Sequence, residues 1–207
     1  MIISHKYKYV FVELPLTASS AISKELIENY HGERILFKHC TYEKFLKQAT
    51  NEETNYFVFS GLRNPMDQAV SHFFKYQSDH NNRFSKPKKR LKGRPIIRYI
   101  LNRILHSFKY NFVKNSNPTF KDFFLKFYTL PYSDWSLMAH HNMDFIIRYE
   151  NLQHDFDMLL EKLKIEKVRN LPSHNKTSSK SKAFVEYYLE DEVKNRAIKV
   201  FYWFMKH

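Results

Sequence analysis

Glycine is scarce in this chain, with three residues among 207. The glycine-rich phosphate loop G-x-x-x-x-G-K-[ST] is absent, which excludes an ordinary nucleoside triphosphatase. Cysteine is scarcer still. The single Cys40 cannot close an internal disulfide, and no zinc site can rest on cysteines. It reads as an ordinary buried thiol in a reducing compartment. No apolar run reaches the roughly 18–20 residues that a membrane span needs. The N-terminal "MIISHKYKYVFVELP" reads as a first strand, not a signal peptide. These absences lead to the expectation of a soluble, cytoplasmic protein. Acidic residues are missing from one long window, between Asp79 and Asp122.

That window holds Arg83, Lys86, Lys88, Lys89, Arg90, Lys92, Arg94, Arg98, Arg103, Lys109, Lys114 and Lys121. They supply nearly all of the chain's net charge of +13. A block of one sign meets an anion: nucleic acid, an acidic membrane surface or a polyanionic substrate. Its "PIIRYILNRILHSFKY" segment carries Ile97, Ile100, Leu101, Ile104, Leu105 and Phe108 at helical spacing. Such a basic amphipathic helix can pack, cover a site or lie on a membrane.

With 43% apolar and 17% aromatic residues, the chain has the composition of a folded domain. One domain over residues 1–207 is expected, with residues of about 80–121 as a basic insertion or lid. Strands are expected at Tyr9–Leu14, Arg34–His39, Asn55–Pro65 and Asp144–Leu152. Helical patterns follow them, the first capped by Ser19 or Ser20. This alternation predicts an α/β fold with a parallel sheet flanked by helices.

Ligands of such a sheet sit at the carboxyl ends of its strands. "ELPLTASSAI" (Glu13–Ile22) runs from strand to helix there. Backbone N–H groups, the helix dipole and the hydroxyls of Thr17, Ser19 and Ser20 could hold an anion. "GLRNPMDQAVSHFF" adds Arg63 just past a strand and Ser71 eight residues on. Arginine can fork a phosphate with two parallel hydrogen bonds.

The loop resembles the 5′-phosphosulfate loop of sulfotransferases, P-K-T-[AG]-[GS]-[ST]-[ST]. "RNPMDQAVS" resembles their 3′-phosphate motif, R-N-P-x-[DE]-x-x-x-S. "FIIRYENLQHDFDMLLEKLKI" and "LPSHNKT" are similar to later segments of the carbohydrate branch. The resemblance covers most of the chain outside the basic window. It implies a P-loop-like three-layer α/β sandwich and the donor 3′-phosphoadenosine 5′-phosphosulfate. It further implies sulfuryl transfer to a hydroxyl or amine without a metal. By the same resemblance, Pro15, Leu16, Thr17, Ala18, Ser19, Ser20 and Ala21 would cradle the 5′ end. Arg63 and Ser71 would hold the 3′-phosphate, and the loop of Asn175, Lys176, Thr177 and Ser178 would fold over the donor.

Leu16 departs from the family, where that position is usually lysine. A cation there stabilises charge on the leaving phosphate oxygen. Three readings remain open: Lys176 or another lysine supplies the charge, the enzyme is slow, or the protein binds nucleotide without catalysis. The acceptor must also lose a proton. His39 is the first candidate base, and Glu13, where the family often has histidine, is the second. The eleven histidines, including the adjacent His140 and His141, lack metal-ligand spacing. The charge of the basic window favours a glycan or another acidic molecule as acceptor. Nucleic acid is the less favoured partner.

Overall fold

Side-chain alternation along the central strands builds the sheet. The computed structural model describes residues 1–86, 96–132, 143–172 and 182–205. Asn175, Lys176, Thr177, Ser178, His140 and His141 lie outside the described residues. Strands β1 (Ile2–Ser4) and β2 (Tyr9–Val12) form a hairpin, with Ile2 opposite Phe11. Helix α1 covers Ser19–Asn29, β3 Glu33–Arg34 and α2 Tyr42–Leu46. Strand β4 is Phe57–Leu62 and α3 is Pro65–Gln77. Helices α4 (Ile96–Ser116) and α5 (Phe120–Phe127) follow. Strand β5 (Phe145–Arg148), α6 (Leu152–Lys162) and α7 (Asp191–Met205) come next, and short 3-10 turns lie between several of these elements.

The strand order is β3-β1-β2-β4-β5. This is an α/β fold whose sheet is mixed, which corrects the expected all-parallel sheet. Strands β2, β4 and β5 are parallel, as β-α-β crossovers require. Strands β1 and β3 run antiparallel to their neighbours. The cause lies at His5–Lys8, a polar turn that folds the supposed single N-terminal strand into two. The expected strand at Arg34–His39 shrinks to Glu33–Arg34. Leu36 (φ 53°) and His39 (φ 63°) adopt left-handed backbone conformations that a strand cannot contain.

The described chain divides into two compact units, residues 1–64 with 133–176 and residues 65–132 with 177–207. In the sheet unit, Tyr9 and Phe11 face α1 and α6, packing with Ile22, Leu26, Phe156 and Leu159. Val10 and Val12 point the other way, into a cluster with Leu14, Phe45 and Val58. In the helical unit an aromatic core joins α3, α5 and α7 through Phe73, Phe120, Phe123, Phe124 and Phe201. The basic window belongs to this unit. Tyr76 of α3 meets His106 of α4 at 2.6 Å, and Phe84 stacks on Tyr110.

Candidate functional site

The carboxyl ends of β2, β4 and β5 bring several of the expected residues together within the sheet unit. Past β2 the chain turns through Leu16 (φ 66°) and Ala18 (φ 59°), both left-handed. Such a backbone costs a non-glycine residue on the order of 1 kcal/mol, and it curls the loop tightly. The Thr17 hydroxyl donates to the Leu14 carbonyl at 3.0 Å. Thr17 also lies directly on β4, where a Cβ added to Gly61 would come within 2.9 Å of it. Gly61 is thus the glycine this loop needs, supplied by the neighbouring strand.

Helix α1 begins differently from expectation. Its N-cap is Ala18, without a side-chain cap, and Ser19 and Ser20 lie inside the first turn. The opening N–H groups therefore have no capping side chain, and the positive end of the helix dipole faces the loop. Ser19 is buried and Ser20 is exposed. The Ser20 hydroxyl accepts a 2.7 Å hydrogen bond from Lys38 Nζ. Lys38 thus brings a cation to the same helix start.

Arg63 follows β4 and is 6% exposed. Its guanidinium stacks on the Tyr149 ring at 4.0 Å and donates a long, 3.4 Å hydrogen bond to the Leu16 carbonyl. Glu150 accepts from the Asn64 backbone N–H at 2.9 Å, pinning the turn that carries Arg63. Arg148, at the end of β5, is forked onto Asp155 by two 2.8 Å bonds. Ser71 lies on α3 in the helical unit, 1% exposed.

His39 Nδ1 lies 2.9 Å from the Glu13 carbonyl oxygen. A carbonyl only accepts, so Nδ1 carries a proton, and in the neutral form of the ring the lone pair is on Nε2. That is the tautomer a general base needs. Glu13 is different. Its side chain is fully buried, and its carboxylate accepts from Arg34 Nη1 (2.6 Å), the Met1 amino group (2.6 Å) and Ser23 (2.6 Å). Burial alone would raise its pKa, but these donors outweigh it and hold the group down at about 2. Glu13 is a structural anion that ties β2 to β3 and α1. This corrects its candidacy as a base.

Lys38, Tyr149, Glu150 and Gly61 were not singled out from sequence. The available signals were local: a lysine beside His39, an aromatic residue just past β5, and a glycine inside "FSGLRNP". A separate cleft of about 730 Å³ lies within the helical unit, lined by Phe73, Thr119, Lys121, Tyr187 and Glu190 among others. Cys40 is buried and forms no disulfide within the chain. No described helix is long and apolar enough to cross a membrane. A scan against models of known protein families, a search of curated proteins and a search of solved structures each returned no match to this chain.

Proposed function

We propose that the protein is a sulfotransferase that uses 3′-phosphoadenosine 5′-phosphosulfate to sulfate a hydroxyl of a carbohydrate acceptor. The observation that carries this reading is Arg63, stacked on Tyr149 and joined to the Leu16 carbonyl beside the uncapped start of α1. Two motifs 47 residues apart in sequence thus meet at the carboxyl edge of the parallel strands, where a nucleotide would bind. In this reading the sheet unit is the core of a P-loop-like sandwich. Backbone N–H groups of Thr17 to Ser20 receive the 5′-phosphate, and Arg63 holds the 3′-phosphate.

The acceptor hydroxyl would give its proton to His39 Nε2 as its oxygen attacks sulfur. The sulfur–oxygen bond to the 5′-phosphate breaks, and the electron pair leaves on that phosphate oxygen. A cation must stabilise this oxygen. Leu16 cannot, but Lys38 stands 2.7 Å from Ser20 at the same helix start. Lys38 is therefore the lysine we assign to the leaving group, alongside the earlier candidate Lys176.

Leu16 also favours a second reading, a protein that binds the nucleotide without turning it over. Calorimetry with 3′-phosphoadenosine 5′-phosphate, together with label transfer from donor to a glycan panel, separates the two. Binding with turnover supports the first, binding alone the second, and no binding sinks both. Arg63→Ala should abolish nucleotide binding. Lys38→Ala should leave binding within a few-fold and cut turnover about a hundredfold, the usual cost of one lost transition-state contact. Unchanged turnover would move the role elsewhere.

A further inference from the structure

Helix α4 turns its more apolar side to solvent. Ile97 is 71% exposed, Leu101 61%, Ile104 60% and Phe108 58%. At 100° per residue these positions, with Ile100 and Leu105, fall within one half of the helix circumference. The packed half is the more polar one. There His106 meets Tyr76, Tyr110 stacks on Phe84, and Val113 is buried. An amphipathic helix in a water-soluble unit normally buries its apolar stripe. An apolar stripe this long, left in water, marks an interaction surface.

The charge pattern selects the occupant. The sequence window that carries the stripe contains no acidic residue from position 80 to 121 and twelve basic ones. Arg103 is exposed on α4 itself, and Lys88, Lys89, Arg90, Lys92 and Arg94 precede the helix in sequence. A second copy of this chain would bring the same positive charge and be repelled. A soluble acidic glycan would satisfy the charge but leave the aliphatic side chains in water. An anionic bilayer satisfies both, because aliphatic side chains enter the acyl boundary while lysines and arginines meet the headgroups.

We propose that α4 is an interfacial helix that seats the protein on an anionic lipid surface, lying in the plane of the membrane without spanning it. The proposal is independent of the sulfotransferase reading, since it uses neither Arg63 nor the loop after β2.

Flotation of the full chain with phosphatidylcholine vesicles, with and without phosphatidylserine, tests it. Binding should require phosphatidylserine and weaken with salt. Two double variants separate insertion from charge. Ile97→Glu with Ile104→Glu removes apolar area and adds negative charge. Ile97→Ser with Ile104→Ser removes the apolar area at constant charge. Both positions are exposed, so circular dichroism and unfolding midpoints should stay as in the parent. The serine pair should weaken binding at least about tenfold, because two buried aliphatic side chains are lost from the acyl boundary. Three outcomes would overturn the proposal: no flotation with anionic vesicles, undiminished binding of the serine pair, or a dimer in sedimentation that the serine pair dissociates.

Discussion

Each unit is stabilised internally by different physics. The sheet unit buries three carboxylates, Glu13, Glu25 and Asp155, and pairs each with an arginine that keeps contact with water. Arg34 is 43% exposed, Arg169 49% and Arg148 55%. Only one ion of each pair is fully desolvated, which limits the penalty that makes buried ion pairs poor stabilisers. The pairs also link elements distant in sequence: Arg169 reaches Glu25 on α1, and Arg34 on β3 reaches Glu13 after β2. The helical unit instead stacks rings. Phe124 alone meets Phe120, Tyr128, Tyr188 and Phe201 at centroid distances of 4.9 to 6.0 Å. Its ion pairs of Lys121 with Glu190 and Glu192 lie at the surface. The sheet unit should therefore respond to carboxylate protonation, and the helical unit to lost apolar volume.

The largest effect is expected in the ring cluster. Phe124→Ala should cost about 3–5 kcal/mol, because it removes a fully buried ring and leaves a cavity. Urea unfolding measures it. A loss below about 1.5 kcal/mol, within the range of a tolerated swap, would mean that the cluster can collapse around the gap.

Next comes Glu13. Glu13→Gln should cost about 2–3 kcal/mol, since a neutral amide leaves Arg34 and the Met1 amino group without their anion. The pH dependence follows the folded pKa, lowered from 4.5 to about 2. The unfolded chain takes up the proton first as pH falls. Glu13's contribution is thus complete above pH 4.5 and is lost as pH falls toward 2. Unfolding midpoints measured from pH 5 to 3 should show that slope in the parent and a flatter one in the variant.

How much of this was legible in sequence depends on the range of the interactions. Strands β2, β4 and β5 were readable because their apolar runs are short and sharply bounded, and their parallel order followed from the intervening helices. The N-terminal hairpin was not, because Lys8 (φ 52°) turns the chain without a glycine or proline to announce it. Leu36 and His39 hid the end of β3 for the same reason. In a chain this poor in glycine, left-handed turns fall not only on Asp79, Asn81, Asn82 and Asn117 but also on Lys8, Leu36 and His39, which carry no turn signal. Arg63, His39 and the loop after β2 were singled out from local pattern, and the structure sets Arg63 against the Leu16 carbonyl and His39 against that of Glu13. Glu13 was misassigned because its partners, Arg34 and Ser23, lie 21 and 10 residues away and no local pattern pairs them. The unburied stripe of α4 was equally hidden, since periodicity marks an apolar face but not what covers it.

His106 lends the helical unit a pH response of its own, in a different window. Burial lowers its pKa to about 4, with Arg83 and Lys109 adding to the effect. The Tyr76 hydroxyl has its own pKa raised by burial, stays protonated and lies 2.6 Å from His106 Nδ1. The ring is neutral in the fold, and the unfolded chain binds the proton first as pH drops below 6.5. Burial of the neutral ring therefore costs nothing well above pH 6.5 and lowers stability as pH falls toward 4, by roughly 1.5 kcal/mol between pH 6.5 and 5. His106→Gln should flatten that segment of the curve and leave the acid limb of Glu13 unchanged. If the variant keeps the slope between pH 6.5 and 5, another group is responsible for it.

Lys121→Ala should have the smallest effect and sharpens the contrast from the other side. Lys121 pairs with Glu190 at 2.9 Å and Glu192 at 3.2 Å, yet both acidic side chains are 65% exposed. Water already solvates these charges, so the pair replaces one set of good contacts with another. The loss should stay below about 0.5 kcal/mol and vanish in high salt. The distances match those of the sheet unit's pairs, but the carboxylates there are buried. A loss from Lys121→Ala as large as that from Glu13→Gln would show that pairing geometry outweighs burial of the acid, and the division between the two units would fall.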